Sequence, residues 1–330
     1  MGKVFIQDLI EGEPITSFFL AKNIQVRQRR TGEPYLSLTL ADRTGEVAAV
    51  MWEGITDELR ALCEGDLLKV QVTLGAYQGQ RQLTVARARK AMTEEIQPED
   101  FLPCSDKDPA LLMAALEETV AAMANPHLKQ LLQTMLGDPE IRNRLMRAPA
   151  AKALHHAVIG GLLEHTASVV GLCRIIAEYY PVIDRDLLLG AAILHDLGKV
   201  RELTWERVFD YTDVGRLLGH ITLGIELIQE HLRTLPDFPE RLAMELLHCV
   251  LSHHGEYEWG SPKRPKTLEA LVLHHAENLD GKINGFLTFT TKFADPQHPG
   301  WTQYNKSLER YLYFGVDGPE APDPGPPVSA

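Results

Sequence analysis

The chain has 330 residues, 45% hydrophobic and 24% charged, the composition of an ordinary globular protein long enough for two or three domains. A net charge of −12 excludes a protein that coats nucleic acid by charge alone, and no apolar run approaches the roughly 20 residues of a membrane span, so no membrane role is expected. Charge enters at the third residue, which is not a signal peptide, and the four widely spaced cysteines (Cys63, Cys104, Cys173, Cys249) read as reduced thiols of a cytoplasmic protein rather than a disulfide framework or zinc site.

Residues 1–92 carry 12 Lys/Arg against 11 Asp/Glu, so the acidity lies in the rest of the chain. This first stretch reads as all-β. A strand is expected over 17–29. Residues 35–41 alternate strictly, with Leu36, Leu38 and Leu40 on one face and Tyr35, Ser37 and Thr39 on the other. A turn at 43–45, a strand over 46–52, a helical stretch over 55–63, and a hairpin of 66–77 with 80–89 follow. Three strands, a helix and two strands is the order of an OB-fold barrel, a fold that holds single strands through basic grooves and stacking aromatics. Arg27, Arg29, Arg30 and Tyr35 are the candidate strand contacts, followed by Tyr77 and Arg81, while Trp52 fits the core and a stacking surface equally well.

A linker rich in proline and acid spans 93–107, with Ser105 or Asp106 placed to cap the next helix. Residues 108–314 read as an all-α domain. Leu111, Leu112, Ala115, Leu116, Thr119, Val120 and Met123 recur at helical spacing, and Asn125-Pro126 ends one helix and starts another. Later helices are expected over 139–146, 157–179, 185–196, 217–232, 238–253 and 268–292. Residues 315–330, with little to bury, read as a disordered tail.

The histidines carry the chemistry. Of thirteen, all but His127 and His298 fall between His155 and His275. An isolated His195-Asp196 pair at the end of an apolar helix reads as a hydrogen-bonded core pair. Here, however, His165, His220, His253, His254 and Asp280 also lie on or at the ends of expected helices, and a bundle can bring such groups to one internal point. Imidazole with carboxylate and no thiolate suits divalent Mn, Fe, Co, Ni or Zn. Seven ligands are too many for one closed tetrahedral site and suit two ions with open positions for water and substrate; Asp196, beside His195, is placed to span both.

These residues resemble the HD-domain metal-dependent phosphohydrolases in His165, His195-Asp196 and Asp280, and the binuclear members of that superfamily in His220 and His253-His254. The segments 149–156, 160–166, 194–199, 215–221, 251–265 and 269–282 resemble more specifically the YhaM-type 3′→5′ exoribonucleases, which place an OB-fold before an HD domain. One departure is Glu277, where that pattern has Asp. The resemblance implies one ion on His165, His195, Asp196 and Asp280, and another on Asp196, His220, His253 and His254. Manganese comes first, with iron, cobalt or nickel as alternatives, and a hydroxide between the ions attacks phosphorus. It further implies that Lys199 holds a phosphoryl oxygen and that Lys263, Arg264 and Lys266 clamp the neighbouring phosphate.

His155, His156, His248, His274 and His275 are expected in the core, behind the ligands or against substrate, and Glu164, Glu256 and Glu277 are candidates for orienting the imidazoles. The reading is a 3′→5′ exonuclease on single-stranded RNA, with single-stranded DNA as a second candidate and a homo-oligomer compatible. The alternatives are an HD-type hydrolase of nucleotides or cyclic dinucleotides with a regulatory OB-fold, and a non-catalytic nucleic-acid-binding protein with a structural metal. The cyclic-dinucleotide type follows its His-His pair with Gly-Tyr-Pro, where this chain has Gly255-Glu256-Tyr257.

Overall fold

The computed structural model describes residues 3–152, 156–206, 208–306 and 308–315. His155 and, apart from Gly315, the tail expected over 315–330 lie outside the described residues. Two compact units emerge: Met1–Cys104 with Thr204–Asp210, and Ser105–Leu203 with Tyr211–Ala330.

The first unit is a five-stranded closed barrel of β1 (Pro14–Gln28), β2 (Pro34–Asp42), β3 (Gly45–Met51), β4 (Leu67–Tyr77) and β5 (Gln80–Lys90), ordered β1-β2-β3-β5-β4. It closes because β1 pairs antiparallel with both β2 and β4, while β3 runs parallel to β5. Closure leaves no strand edge open for pairing. The alternation in β2 is as expected: Leu36, Leu38 and Leu40 are buried with Phe19, Leu68 and Leu83, and the facing set is half-buried. A bulge between Lys22 and Gln25 bends β1, with Asn23 in the left-handed region. The helix expected over 55–63 is a single turn, α1 (Asp57–Arg60), capped by Thr56. It stops because the Asp66 carboxylate takes the Cys63 amide (2.9 Å) and turns the chain out.

In the second unit, α2 (Pro109–Ala121), α3 (Pro126–Gly137) and α4 (Pro139–Arg147) share one start. Asp108, Asn125 and Asp138 accept the first free amides, and proline occupies the first turn, where no amide is needed. The cap of α2 is thus Asp108, not Ser105 or Asp106; Ser105 donates to Glu164 instead (2.7 Å). The helix expected from residue 157 is α5 (Gly161–Tyr179), starting later because Gly160 takes left-handed angles. There follow α6 (Arg185–Leu194), α7 (Lys199–Glu202), α8 (Asp213–Leu232), α9 (Glu240–Ser252) and α10 (Leu268–Lys292); between α7 and α8 the short strands β6 (Leu203–Thr204) and β7 (Asp210–Tyr211) fall where the chain leaves and re-enters this unit.

The domain over 108–314 is helical as expected, apart from two stretches. Residues 203–212 are dense in Thr, Val and aromatics and make β6 and β7. After Lys292, Pro296, Pro299 and Gly300 break the helical run, leaving isolated bridges such as Trp301 with Tyr313. Every residue of α6 from Leu187 to Leu194 is buried, so this helix is the axis of the unit, and its C-terminus delivers the His195-Asp196 pair. Among the described residues the four cysteines form no disulfide, and no helix is long and apolar enough to cross a membrane.

Candidate metal centre

Two helices end in the same way. His195 is the C-cap of α6 and His253 the C-cap of α9. Each ring turns back on its own helix, Nδ1 lying 2.7 Å from the carbonyl three residues earlier, Ala192 and Val250. Those carbonyls have no intrahelical partner, so the rings satisfy them. A carbonyl only accepts, so each Nδ1 carries the proton and each Nε2 is a bare lone pair. The other three rings follow the pattern: His165 Nδ1 meets Asp280 (2.7 Å), His220 Nδ1 meets Glu202 (3.2 Å), and His254 Nδ1 meets the Trp259 carbonyl (2.9 Å).

The bare nitrogens converge on Asp196. Its Oδ2 lies 3.5 Å from His165 Nε2 and 3.6 Å from His195 Nε2; its Oδ1 lies 3.4 Å from His220 Nε2 and 3.6 Å from His253 Nε2. His165 and His195 set Nε2 against Nε2 at 3.3 Å, lone pair toward lone pair. Asp196 Oδ1, His220 Nε2 and His253 Nε2 are buried without a hydrogen-bond partner, and Asp196 Oδ2 meets the Lys199 ammonium at 2.7 Å. Burying polar atoms this way is costly, and facing acceptors repel unless a cation lies between them. The donors therefore fit divalent metal: His165, His195 and Asp196 form one group, His220, His253 and His254 a second, the first two of them facing Asp196 Oδ1, and His156, His165 and Asp280 a third.

The ionisation states suit this. Burial pushes the His195 and His253 pKa values down, and burial with neighbouring His253 brings His254 down to about 4, so the rings are neutral ligands at neutral pH. Burial alone would raise the Asp196 pKa, but the Lys199 ammonium and His195 outweigh it and hold it well below the usual carboxylate range. Burial, then Asp196, pushes Glu277 up to about 8.

Six of the seven expected ligands meet at this point. Asp280 stands one step back: its Oδ2 is engaged by His165 Nδ1 and by His156 Nε2 (3.3 Å), and Ser168 donates to its Oδ1. Lys199 pairs with Asp196 Oδ2 (2.7 Å) and does not stand free for a phosphoryl oxygen. Arg264 pairs with Glu256 (2.8 Å) and lies over the Tyr257 ring, so Glu256 orients no imidazole. Lys263 and Lys266 line a groove with Met244, Leu247 and His248 along α9. His274 Nδ1 donates to the His253 carbonyl (2.8 Å) and steadies the His-His turn.

Glu202 and Ser168 went unread in the sequence. Glu202 accepts from both the amide and the ring of His220, yet nothing in its spacing marks it. Gly198 shows a different signal, since a β-carbon there would stand 1.9 Å from the His220 carbonyl. The glycine after His195-Asp196 lets α8 carry His220 up to the pair.

In the barrel unit, β1–β2 register places Arg27 beside Tyr35, and β2–β3 register carries the row on to Trp52. The Tyr35 and Trp52 rings lie 4.9 Å apart, and Trp52 is 41% exposed, so it is a surface residue and not core. Arg29 lies over the Trp52 ring (4.9 Å) and donates to its carbonyl (2.6 Å). Arg27 bonds Gln25, and Arg30 is exposed.

Comparison with known proteins supports both halves. The HD domain family matches residues 162–282, and the family described as an OB-fold nucleic acid binding domain matches residues 23–91. The 3′-5′ exoribonuclease YhaM of Bacillus subtilis is 34% identical over 83% of this chain and 86% of its own length. The chain belongs to the YhaM family. Other YhaM proteins agree: that of a Geobacillus species is 35% identical over 83% of this chain and 84% of its own length, and that of Halalkalibacterium halodurans 32% over 83% and 85%. The YhaM match spans most of both chains, whereas the HD and OB-fold matches each cover one part.

Proposed function

We propose that this YhaM-family chain is a metal-dependent phosphodiesterase that removes nucleotides from the 3′ end of single-stranded RNA, with single-stranded DNA as a second substrate. The observation that carries the proposal is Asp196. Its two buried oxygens face two separate pairs of imidazole nitrogens, and Oδ1 has no hydrogen-bond partner. His165 and His195 with Asp196 would hold one divalent ion, and His220, His253 and His254 with Asp196 the other, with manganese as the first choice. Such ions supply Lewis acidity, which ionises water near neutral pH and neutralises charge on a phosphoryl group.

The chain's own residues do the rest. The protonated Nδ1 atoms fix each ring so that its lone pair points inward, and Glu202 and Asp280 hold the His220 and His165 rings from behind. The apolar run of α6 under the pair excludes water. Tyr35 and Trp52 offer base-stacking faces beside the Arg29 guanidinium. The 3′ polarity rests on the YhaM relatives, whose name carries it. Family membership is also the ground for preferring nuclease action to a cyclic-dinucleotide hydrolase or a non-catalytic binder.

The test is a time course with Mn²⁺ on RNA labelled at its 5′ end. A descending ladder is expected, with none from Asp196→Ala. Immediate release of the labelled mononucleotide would reverse the polarity, internal cuts would make the enzyme an endonuclease, and intact RNA beside hydrolysed cyclic dinucleotide would restore the alternative.

A further inference from the structure

His156 is a buried imidazole beside the centre that the proposed chemistry leaves without a role. Its Nε2 lies 3.3 Å from Asp280 Oδ2 and its Nδ1 3.7 Å from Glu164 Oε2, so one ring lies between carboxylates on α10 and α5. Glu164 is itself held by Ser105 (2.7 Å) and Lys107 (3.2 Å). On the other side, the same Asp280 oxygen meets His165 Nδ1 at 2.7 Å. The chain of contacts therefore runs from Ser105 and Lys107 through Glu164, His156 and Asp280 to a ring whose Nε2 faces Asp196.

The backbone is shaped to put His156 there. Its φ is +50°, in the left-handed region that side chains rarely adopt, and such strain persists only where surroundings enforce it. A β-carbon on Gly161 would stand 2.1 Å from the His156 carbonyl, so only glycine lets the loop close onto the first turn of α5. The loop is tied further by the Ala150 amide on the His156 carbonyl (3.1 Å) and the Leu162 amide on the Ala148 carbonyl (3.0 Å). A histidine that merely filled space would need neither the strain nor two carboxylates.

We infer that His156 is a positioning residue: by donating to Asp280 it holds that carboxylate against His165 Nδ1, which fixes the direction of the His165 Nε2 lone pair and sets metal affinity on the His165–His195 side of the centre. This rests on the metal reading of the site. The consequence is selective, because the group of His220, His253 and His254 is oriented by Glu202, Val250 and Trp259 and not by Asp280.

The experiment is a calorimetric titration of the metal-free full chain with Mn²⁺, with the melting temperature of each metal-free variant recorded alongside. His156→Met keeps the reach and removes the donor; His156→Gln keeps a donor. His195→Ala and His254→Ala identify which binding step belongs to which side. The Met variant is expected to weaken the step lost in His195→Ala by roughly 10- to 100-fold and leave the step lost in His254→Ala unchanged, with the Gln variant within about 3-fold of wild type. Wild-type affinity in the Met variant, equal loss in both variants, or equal weakening of both steps overturns the inference. No Mn²⁺ binding by wild type overturns the metal reading beneath it. Should the Met variant fail to fold, Ser168→Ala removes another donor to Asp280; a loss of about 3-fold in the same step supports the inference and none overturns it.

Discussion

Each unit buries an aspartate, and the two are opposites. In the barrel, Asp42 is matched at every turn: Oδ2 accepts from the Ile6 amide (2.9 Å) and the Lys3 ammonium (3.1 Å), and Oδ1 accepts from the Thr44 amide (2.8 Å) and hydroxyl (2.6 Å). In the helical unit, Asp196 is as deeply buried but ringed by imidazole nitrogens that, like its own oxygens, are acceptors. Among the described residues, Lys199 is the one permanent positive charge paired with it. A carboxylate surrounded by donors ties a fold together; one surrounded by acceptors is stable only with a cation, and that is where chemistry belongs. Burial alone would not have separated them.

If the contrast is right, mutating the two residues has crossed effects. Asp196→Ala is expected to lower RNA hydrolysis by about 10³-fold or more, as loss of metal stabilisation worth several kcal/mol requires, while the metal-free protein loses less stability than Asp42→Ala does, because relief of the acceptor contacts offsets the unpairing of Lys199. Chelation of wild type should reproduce the loss, and re-addition of Mn²⁺ should restore it. Asp42→Ala is expected to destabilise by about 3–5 kcal/mol, because it leaves Lys3 buried and unpaired, with the hydrolytic rate per folded molecule unchanged. Denaturant melts beside single-turnover assays decide. A large stability loss in Asp196→Ala without metal would erase the distinction. The barrel's own contribution should emerge in binding: Trp52→Ala is expected to weaken RNA binding by about 1–3 kcal/mol for each base stacked, and to leave cleavage of a dinucleotide untouched. Equal loss on both substrates would place Trp52 in the fold rather than in recognition.

Much of this contrast can be read in the sequence, for physical reasons. The barrel is legible because a strand with one buried face must alternate, as residues 35–41 do. The ligands are legible because His195, Asp196, His253 and His254 sit at helix ends, and His165 and His220 within helices, where apolar residues would otherwise run on. What supports them is not legible. Glu202 reaches His220 across eighteen residues and Ser168 reaches Asp280 across more than a hundred, so no local period reports them; His156 is expected near the ligands, but its Asp280 partner, 124 residues away, is not. The strands within 203–212 were hidden because a short β-rich stretch between long helices yields no periodicity of its own. Trp52 was undecidable for a related reason: alternation assigns it a face, but whether that face meets solvent depends on barrel closure.

The smallest effect concerns proton balance, and there the helical unit stands apart again. Burial lowers the His156 pKa, but Asp280 and Glu164 outweigh it and raise it from 6.5 to about 9. A raised imidazole contributes stability that is complete below 6.5 and lost as pH climbs through 9. Glu277, raised from 4.5 to about 8 by burial and Asp196, also makes the folded state the better proton binder, so its contribution is lost between those values. His254 has the opposite sign: lowered to about 4, it costs stability only as pH falls below 6.5 and is silent above it. The metal-free protein should therefore melt at progressively lower temperature from pH 6.5 to 9. Glu277→Gln should flatten the part below about 8, and the part between 8 and 9 should remain until His156→Gln removes it. Melting curves at half-unit intervals in a chelating buffer read this directly. An unchanged slope from 8 to 9 in His156→Gln would mean that His156 is neutral in the folded chain, held beside Asp280 as an uncharged hydrogen-bond donor.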